Sequence, residues 1–370
     1  MTQSKEVKKK GTSNVFSRLV HNQIFIPIVA LAILVVFNLI VDPSFFAITL
    51  GENTAGEPVL KGFLITILDN GSELAILAIG MTLVTAATGG QDISVGATVA
   101  IAGSVILRVV CGEERQADYV SLGIFLAAFL VSVLVSMAFG AFNGVLVAHF
   151  KIQPMVATLI LYTAGRSIAA WINNNRLPVV NDSSFGVIGK FIPGIPIPTP
   201  IFVAIICMII IALVLRFTNL GLYTQAVGIN EHSSKLNGIN PTFIKFISFV
   251  ILGVCVAVVG LIKVSRLSTI NYSVVAKDIE MDAILAVALG GNALSGGKFN
   301  MAASIMGAYI IQFLTTTLIK FQVPSVALPA YKAVVVIILV LISAPTVKEK
   351  AKKLVNKLKA GRNTSVKEVG

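Results

Sequence analysis

Ten apolar runs occupy most of this chain, at residues 24–41, 62–88, 94–110, 122–148, 155–172, 200–217, 244–264, 281–290, 301–319 and 328–345. A helix that crosses the hydrocarbon core of a bilayer needs about 20 apolar residues. Nothing in that core except the helix itself can satisfy the backbone N–H and C=O groups. The runs therefore predict an all-α polytopic membrane protein with about ten transmembrane helices. The eighth run is too short to cross alone and stops at Gly290-Gly291. The second is polar near its start (Asp69, Asn70, Ser72, Glu73), so its helix is either tilted or broken there. Composition closes off the alternatives. Hydrophobic residues make up 56% of the chain and charged residues only 12%, about half of the ~25% usual for soluble proteins. So few charges cannot cover a soluble fold, and they exclude a disordered chain or a coiled coil as well.

The net charge of +12 sits mostly at the ends. Residues 1–24 carry +4 and residues 346–370 carry +6, which leaves +2 for everything between. A nucleic-acid partner would need basic residues gathered on one surface, so none is expected. Basic flanks instead mark the cytoplasmic side of a membrane protein. Both termini are expected in the cytoplasm of a cell carrying this chain in its cytoplasmic membrane, which agrees with an even number of spans. The organisation read from this is a basic tail (1–23), a transmembrane domain (24–345) in contact with lipid, and a second basic tail (346–370). No stretch between spans exceeds about 30 residues, too short for a soluble catalytic domain. The segment 173–199, with Pro193, Pro196 and Pro198, falls outside and is available to an external partner. Cys111, Cys207 and Cys255 form no CxxC pair, and His21, His149 and His232 are scattered. No metal site and no catalytic constellation is expected.

Two glycine-rich interruptions match each other. Gly89-Gly90-Gln91-Asp92-Ile93-Ser94-Val95-Gly96 and Gly290-Gly291-Asn292-Ala293-Leu294-Ser295-Gly296-Gly297 both read G-G-x-x-[I/L]-S-x-G, 201 residues apart. Each follows an apolar run and precedes a helix of small residues. Glycine lets the chain unwind, and Ser94 and Ser295 are placed to cap the helices that follow. Paired interruptions in corresponding halves point to a transport path. The expected path residues are Gln91, Asp92, Ser94 and Ser295 with Asn292, joined by Asn143 and Thr158 from the fourth and fifth spans. The hinge positions are Gly89, Gly90, Gly96, Gly290, Gly291 and Gly297. Two tight turns that do not line any path would carry the same sequence. Gly297-Lys298 suggests a phosphate loop but fails it. The required earlier glycine is Asn292 and the required Ser or Thr is Phe299, so the chain has no ATPase motif of its own.

The segment 219–243 is polar among apolar neighbours. Glu231 to Leu236 is predicted to form a short helix, capped by Asn230 and ended by Gly238. A short helix held between two spans suits docking, and Gly228, Asn230, Glu231, Lys235 and Gly238 are its candidate residues.

Together these motifs resemble the permease subunits of bacterial ABC importers for monosaccharides. The family pattern G-G-I-D-L-S-V-G is similar to residues 89–96, with Gln91 and Ile93 as departures. Its A-V-G-G-N-x-x-A-A-x-x-S-G-I is similar to residues 226–239, with departures at Ile229, Ser233, Ser234 and Asn237. Its L-G-G-x-S-x-x-G-G-x-G is similar to residues 289–299, with departures at Ala293 and Phe299. The resemblance implies a transport subunit rather than an enzyme. It implies pairing with a second permease copy or paralogue, with ATP-binding subunits that carry ATP and Mg, and with an extracytoplasmic sugar-binding protein. Residues 226–239 would be the coupling element. A permease for nucleosides or another polar metabolite, or an ion-coupled carrier, is the alternative.

Overall fold

The computed structural model describes residues 25–53 and 56–343. The basic tails lie outside the described residues. Twelve α-helices are present among those described: α1 (Phe25–Val41), α2 (Phe63–Thr88), α3 (Val95–Cys111), α4 (Leu122–Ala148), α5 (Pro154–Ile172), α6 (Thr199–Phe217), α7 (Leu220–Ile229), α8 (Glu231–Leu236), α9 (Pro241–Leu267), α10 (Ile279–Leu289), α11 (Met301–Lys320) and α12 (Leu328–Ser343). Ten of them coincide with the ten apolar runs. Six (α2, α4, α5, α6, α9 and α11) are long and apolar enough to cross a membrane, while the apolar parts of α1, α3 and α12 are shorter. The eleven residues of α10 reach about 16 Å, half of a hydrocarbon core of about 30 Å.

Helices α2 and α9 form the centre. Every residue of α2 from Gly71 to Ala87 is buried, and α2 packs on α9, α11 and α6 while α9 packs on α4 and α3. The contact between α4 and α9 is close because small residues face each other. A Cβ on Gly140 would stand 2.5 Å from the Phe249 carbonyl oxygen, and one on Gly253 2.5 Å from that of Ser136. Small residues at such crossings are the usual means of bringing membrane helices together. The outer faces of α4 and α6 present Leu122, Leu126, Leu130, Ile206, Ile209 and Leu213, all exposed, as helices against lipid would.

Helix α2 is continuous through its polar start. Asp69 Oδ1 accepts from Arg266 at 2.8 Å and Asn70 Oδ1 from the same guanidinium at 2.6 Å. Glu73, buried, pairs with Lys263 at 2.6 Å and with Arg266 at 3.0 Å. Lys263 and Arg266 are three residues apart on α9 and so share a face. The polar residues therefore find partners without unwinding the helix.

The end of the bundle where α2 begins carries short elements: a 3-10 turn (Pro43–Phe46), an antiparallel hairpin of β1 (Thr49–Glu52) and β2 (Pro58–Lys61), a two-residue parallel pair of β3 (Gln116–Ala117) and β4 (Val179–Val180), and a second 3-10 turn (Ser183–Ile188). Lys320 at the end of α11 pairs with Asp42, and its ammonium lies 5.1 Å from the Phe45 ring centroid and 5.2 Å from that of Phe63. The opposite end holds both glycine breaks and helices α7 and α8.

Neither expected serine cap forms as read. Ser94 stands at the cap position of α3, but its hydroxyl makes no cap bond. It donates to Asp92 instead. Helix α11 starts at Met301, where the Asn300 side chain accepts from Ala303 N at 3.2 Å. Ser295 lies six residues earlier, exposed in the connecting segment. The second break needs the whole of 290–300 to pass from α10 to α11, and its serine falls short of the helix.

Candidate functional site

The two breaks, 201 residues apart in sequence, touch in space. Gly89 ends α2 in the left-handed region at φ 67°, which a side chain resists. A Cβ there would also stand 2.7 Å from the Ser295 carbonyl oxygen. Gln91 Nε2 donates to the Leu294 carbonyl at 3.1 Å. Gly297 N donates to the Ala86 carbonyl at 2.9 Å. That carbonyl is one of the last four of α2, which have no partner inside their own helix. The second break thus completes the end of the helix that leads into the first.

Helix α7 closes on this junction. Gly228 lies so near that a Cβ would overlap the Ala86 carbonyl oxygen and stand 2.6 Å from Gly297 N. Asn230 turns the chain and caps α8, its side chain accepting from Ser233 N at 2.9 Å. Glu231 on α8 pairs with Lys245 on α9 at 2.6 Å. The hydrogen bond from Lys245 holds the Glu231 carboxyl below the usual glutamate range. Lys235, exposed, completes the last turn of α8, and Gly238 follows at φ 80°. The short helix at Glu231–Leu236 is therefore present with its expected cap. The preceding helix α7 is ten residues long, and Asn219 at its cap position makes no side-chain cap bond.

The remaining path candidates fall into two groups. Asp92, Ser94 and Asn143 form one cluster, all buried. Asp92 Oδ1 accepts from Ser94 N at 2.8 Å and from Ser94 Oγ at 2.6 Å, and Oδ2 accepts from Asn143 Nδ2 at 3.3 Å. Asn143 Nδ2 also donates to Ser94 Oγ at 3.0 Å. Thr158 joins through its hydroxyl, which accepts from Ile93 N at 3.1 Å. Gly90 packs on Pro154 at the start of α5, where a Cβ would meet the ring at 2.6 Å. The first break is thus pinned to α4 and α5. Asn292 belongs to a second group. Its Oδ1 accepts from Asn300 N at 2.6 Å, and its Nδ2 donates to Ser304 Oγ at 2.6 Å, which in turn accepts from Thr82 at 2.7 Å. Gly290 lies against Ala303, leaving 2.7 Å for a Cβ, and Gly291 takes φ 75°.

Sequence reasoning missed the partners of the charged residues. Arg166 donates to the carbonyls of Tyr272 (2.7 Å) and Val275 (3.0 Å). Asp282 is held by Lys332 through both oxygens at 2.7 Å. Glu280, buried, lies against Gly96 of α3, where its Oε2 occupies the place of a Cβ. Lys263 and Arg266, spaced to face one way at the end of an apolar run, were a readable signal for the acids of α2.

A helical bundle with half-length and interrupted helices, its two breaks meeting under a docked short helix, defines a polytopic membrane permease. Comparison with known proteins places it more narrowly. The family model described as "Branched-chain amino acid transport system / permease component" matches residues 63–344. The chain is 34% identical to the fructose import permease of Bifidobacterium longum, over 92% of this chain and 93% of the relative. It is 36% identical to the galactofuranose transporter permease of Escherichia coli, over 86% and 88%. With the ribose import permease of the same species it shares 34%, over 85% and 92%. No solved structure matches. The chain belongs to the monosaccharide ABC importer permease family, whose members are transport permeases and not enzymes.

Proposed function

We propose that this chain is the permease subunit of an ABC importer that carries a monosaccharide across the cytoplasmic membrane by alternating access. Both termini lie in the cytoplasm, so the breaks and the 219–243 segment face the ATP-binding subunits. ATP and Mg act on those partners and not on this chain. A second permease, copy or paralogue, stands beside it, and an extracytoplasmic sugar-binding protein delivers substrate to the opposite end.

The observation that carries this reading is the seating of Gly228 against the end of α2, just before the first break, and against Gly297 of the second. A helix that docks on a moving partner and touches the junction of two interrupted helices can pass that motion to them directly. In this reading the path follows the seam between the breaks. Gln91, Asn292 and Ser295 border it, while Asp92, Ser94, Asn143 and Thr158 fix its wall. The site does no bond chemistry and needs only weak polar contacts, since tight binding would slow release. An ion-coupled carrier is disfavoured because Asp69 and Glu73 are already spent on Lys263 and Arg266.

Reconstitution with the ATP-binding subunit and binding protein tests the proposal. The panel is fructose, ribose, galactofuranose, nucleosides and leucine. ATP-dependent uptake of one of the sugars is expected. Uptake confined to nucleosides or leucine overturns the sugar reading, and uptake without any ATP-binding subunit overturns the ABC mechanism.

A further inference from the structure

Helices α4 and α9 are longer than a hydrocarbon core. Each has 27 residues, which makes about 40 Å of helix against a core of about 30 Å. Their ends therefore reach the headgroup layer. The end of α4 and the start of α9 meet at one such end. A Cβ on Gly144 would stand 3.2 Å from the Phe246 ring.

Between these two ends runs a groove of about 470 Å³. Val145, Phe243 and Phe246 give it an apolar wall, and His149 and Thr242 give it a polar rim. Val145, His149, Thr242 and Phe243 are all exposed, so the groove opens on the outer surface of the bundle. Asn143, on the inner face of α4, is buried with the first break. The groove therefore lies on the opposite side of α4 from that cluster.

The surroundings of the rim are basic. Lys245 stands one turn beyond Thr242 on α9 and shares its face. Lys151 follows His149 by two residues and is exposed. Lys245 holds the Glu231 carboxylate at 2.6 Å, and Lys151 and Lys235 act on the same carboxylate from further off. Three lysines around one glutamate leave a surplus of positive charge. Basic pockets between membrane helices at headgroup level attract anionic lipid. Here the apolar wall continues from such a rim toward the hydrocarbon. A free anion would make no use of the wall, and a neutral lipid would make no use of the lysines.

We propose that this groove binds one anionic phospholipid, with its phosphate at the rim by His149, Thr242 and Lys151 and an acyl chain along Val145, Phe243 and Phe246. The lipid braces the crossing of α4 and α9 beside the seat of α8. The inference needs only that α4 and α9 span the membrane, so it stands whichever solute the permease carries.

The test uses the full-length chain in nanodiscs of three kinds: phosphatidylcholine alone, phosphatidylcholine with phosphatidylglycerol, and phosphatidylcholine with potassium phosphate in the buffer. All are held at equal ionic strength. Tm is measured in each, and the lipid that stays on the chain after transfer to mild detergent is counted by native mass spectrometry. Phosphatidylglycerol should raise Tm and remain bound as a single molecule. Val145→Trp fills the groove without changing charge and should abolish that retention. Lys151→Gln should weaken it about fivefold, the worth of one basic residue near a membrane surface. Should Val145→Trp fail to fold, Lys151→Gln carries the test. Equal retention of phosphatidylcholine would show that charge plays no part, and the proposal falls. A Tm shift matched by free phosphate would make this a site for a soluble anion and also overturn it. Phosphatidylglycerol retained undiminished in the variants would place the lipid on the basic tails or elsewhere, with the same consequence. Loss of a dimer in Val145→Trp without any change in bound lipid would make the groove an interface between copies instead.

Discussion

Glu73 shows how much one side chain can decide in this fold. It is 2% exposed and faces both Lys263 and Arg266. Replacing it with glutamine keeps the shape but leaves two cations beside a neutral amide. Breaking a buried pair from one side costs about 3 kcal/mol or more. Glu73→Gln is therefore expected to lower Tm sharply in detergent, whereas Asp69→Asn, at a half-buried position that shares Arg266 with Asn70, should cost less. Equal shifts from the two variants would contradict the central place given to Glu73. Gly228 is the corresponding residue where space decides. Gly228→Ala puts a methyl group into the Ala86 carbonyl and Gly297 N. Overpacking of this kind costs about 1–3 kcal/mol. Transport per ATP hydrolysed should fall more than expression does, and coupling at the wild-type ratio would remove Gly228 from the transmission route.

At the scale of elements, α8 is held by a cap and an ion pair, and each has its own signature. Asn230→Ala removes the acceptor for Ser233 N, at a cost of about 1 kcal/mol. The Glu231–Lys245 pair depends on pH. The hydrogen bond from Lys245 lowers the folded-state value of Glu231 from the ordinary 4.5, so its stabilisation is fully present above that ordinary value. It is lost as pH falls from there through the lowered folded value. The pair is half-exposed and is worth no more than about 1 kcal/mol. Amide exchange in α8 should be faster in Lys245→Ala than in wild type at pH 7, and the difference should close as the pH falls through the lowered folded-state value of Glu231. The same helix shows what sequence can reveal. Its start, cap and end were readable because Asn230, Glu231 and Gly238 act within a few residues. Helix α7 was not readable, because what fixes its place is Gly228 against Ala86 and Gly297, contacts remote in sequence. The continuity of α2 was only partly legible: Lys263 and Arg266 announce that acids stand opposite them, but not that these are Asp69 and Glu73. Ser295 misled for the opposite reason. Its motif matched Ser94, but the segment after it is longer and Asn300 does the capping.

At the scale of the whole molecule, the repeated G-G-x-x-[I/L]-S-x-G pattern announced two breaks but not that they meet. The meeting is a physical coupling, and coupling can be measured. A Cβ on Gly89 faces the Ser295 carbonyl at 2.7 Å, and one on Gly296 faces Gly89 Cα at 3.0 Å. Each alanine alone pushes the same two segments apart, so the second substitution enters a gap that the first has already opened. Gly89→Ala and Gly296→Ala should therefore be less than additive, with an interaction energy of about 0.5–3 kcal/mol. Gly238 supplies the control. It also takes a positive φ, and a Cβ there meets nothing within 4 Å, so it carries the backbone strain without the contact. Gly89→Ala combined with Gly238→Ala should be additive within about 0.5 kcal/mol. Additivity in both pairs would mean that the breaks act independently. A seam joining them would then be the wrong place to look for the moving part of the transporter.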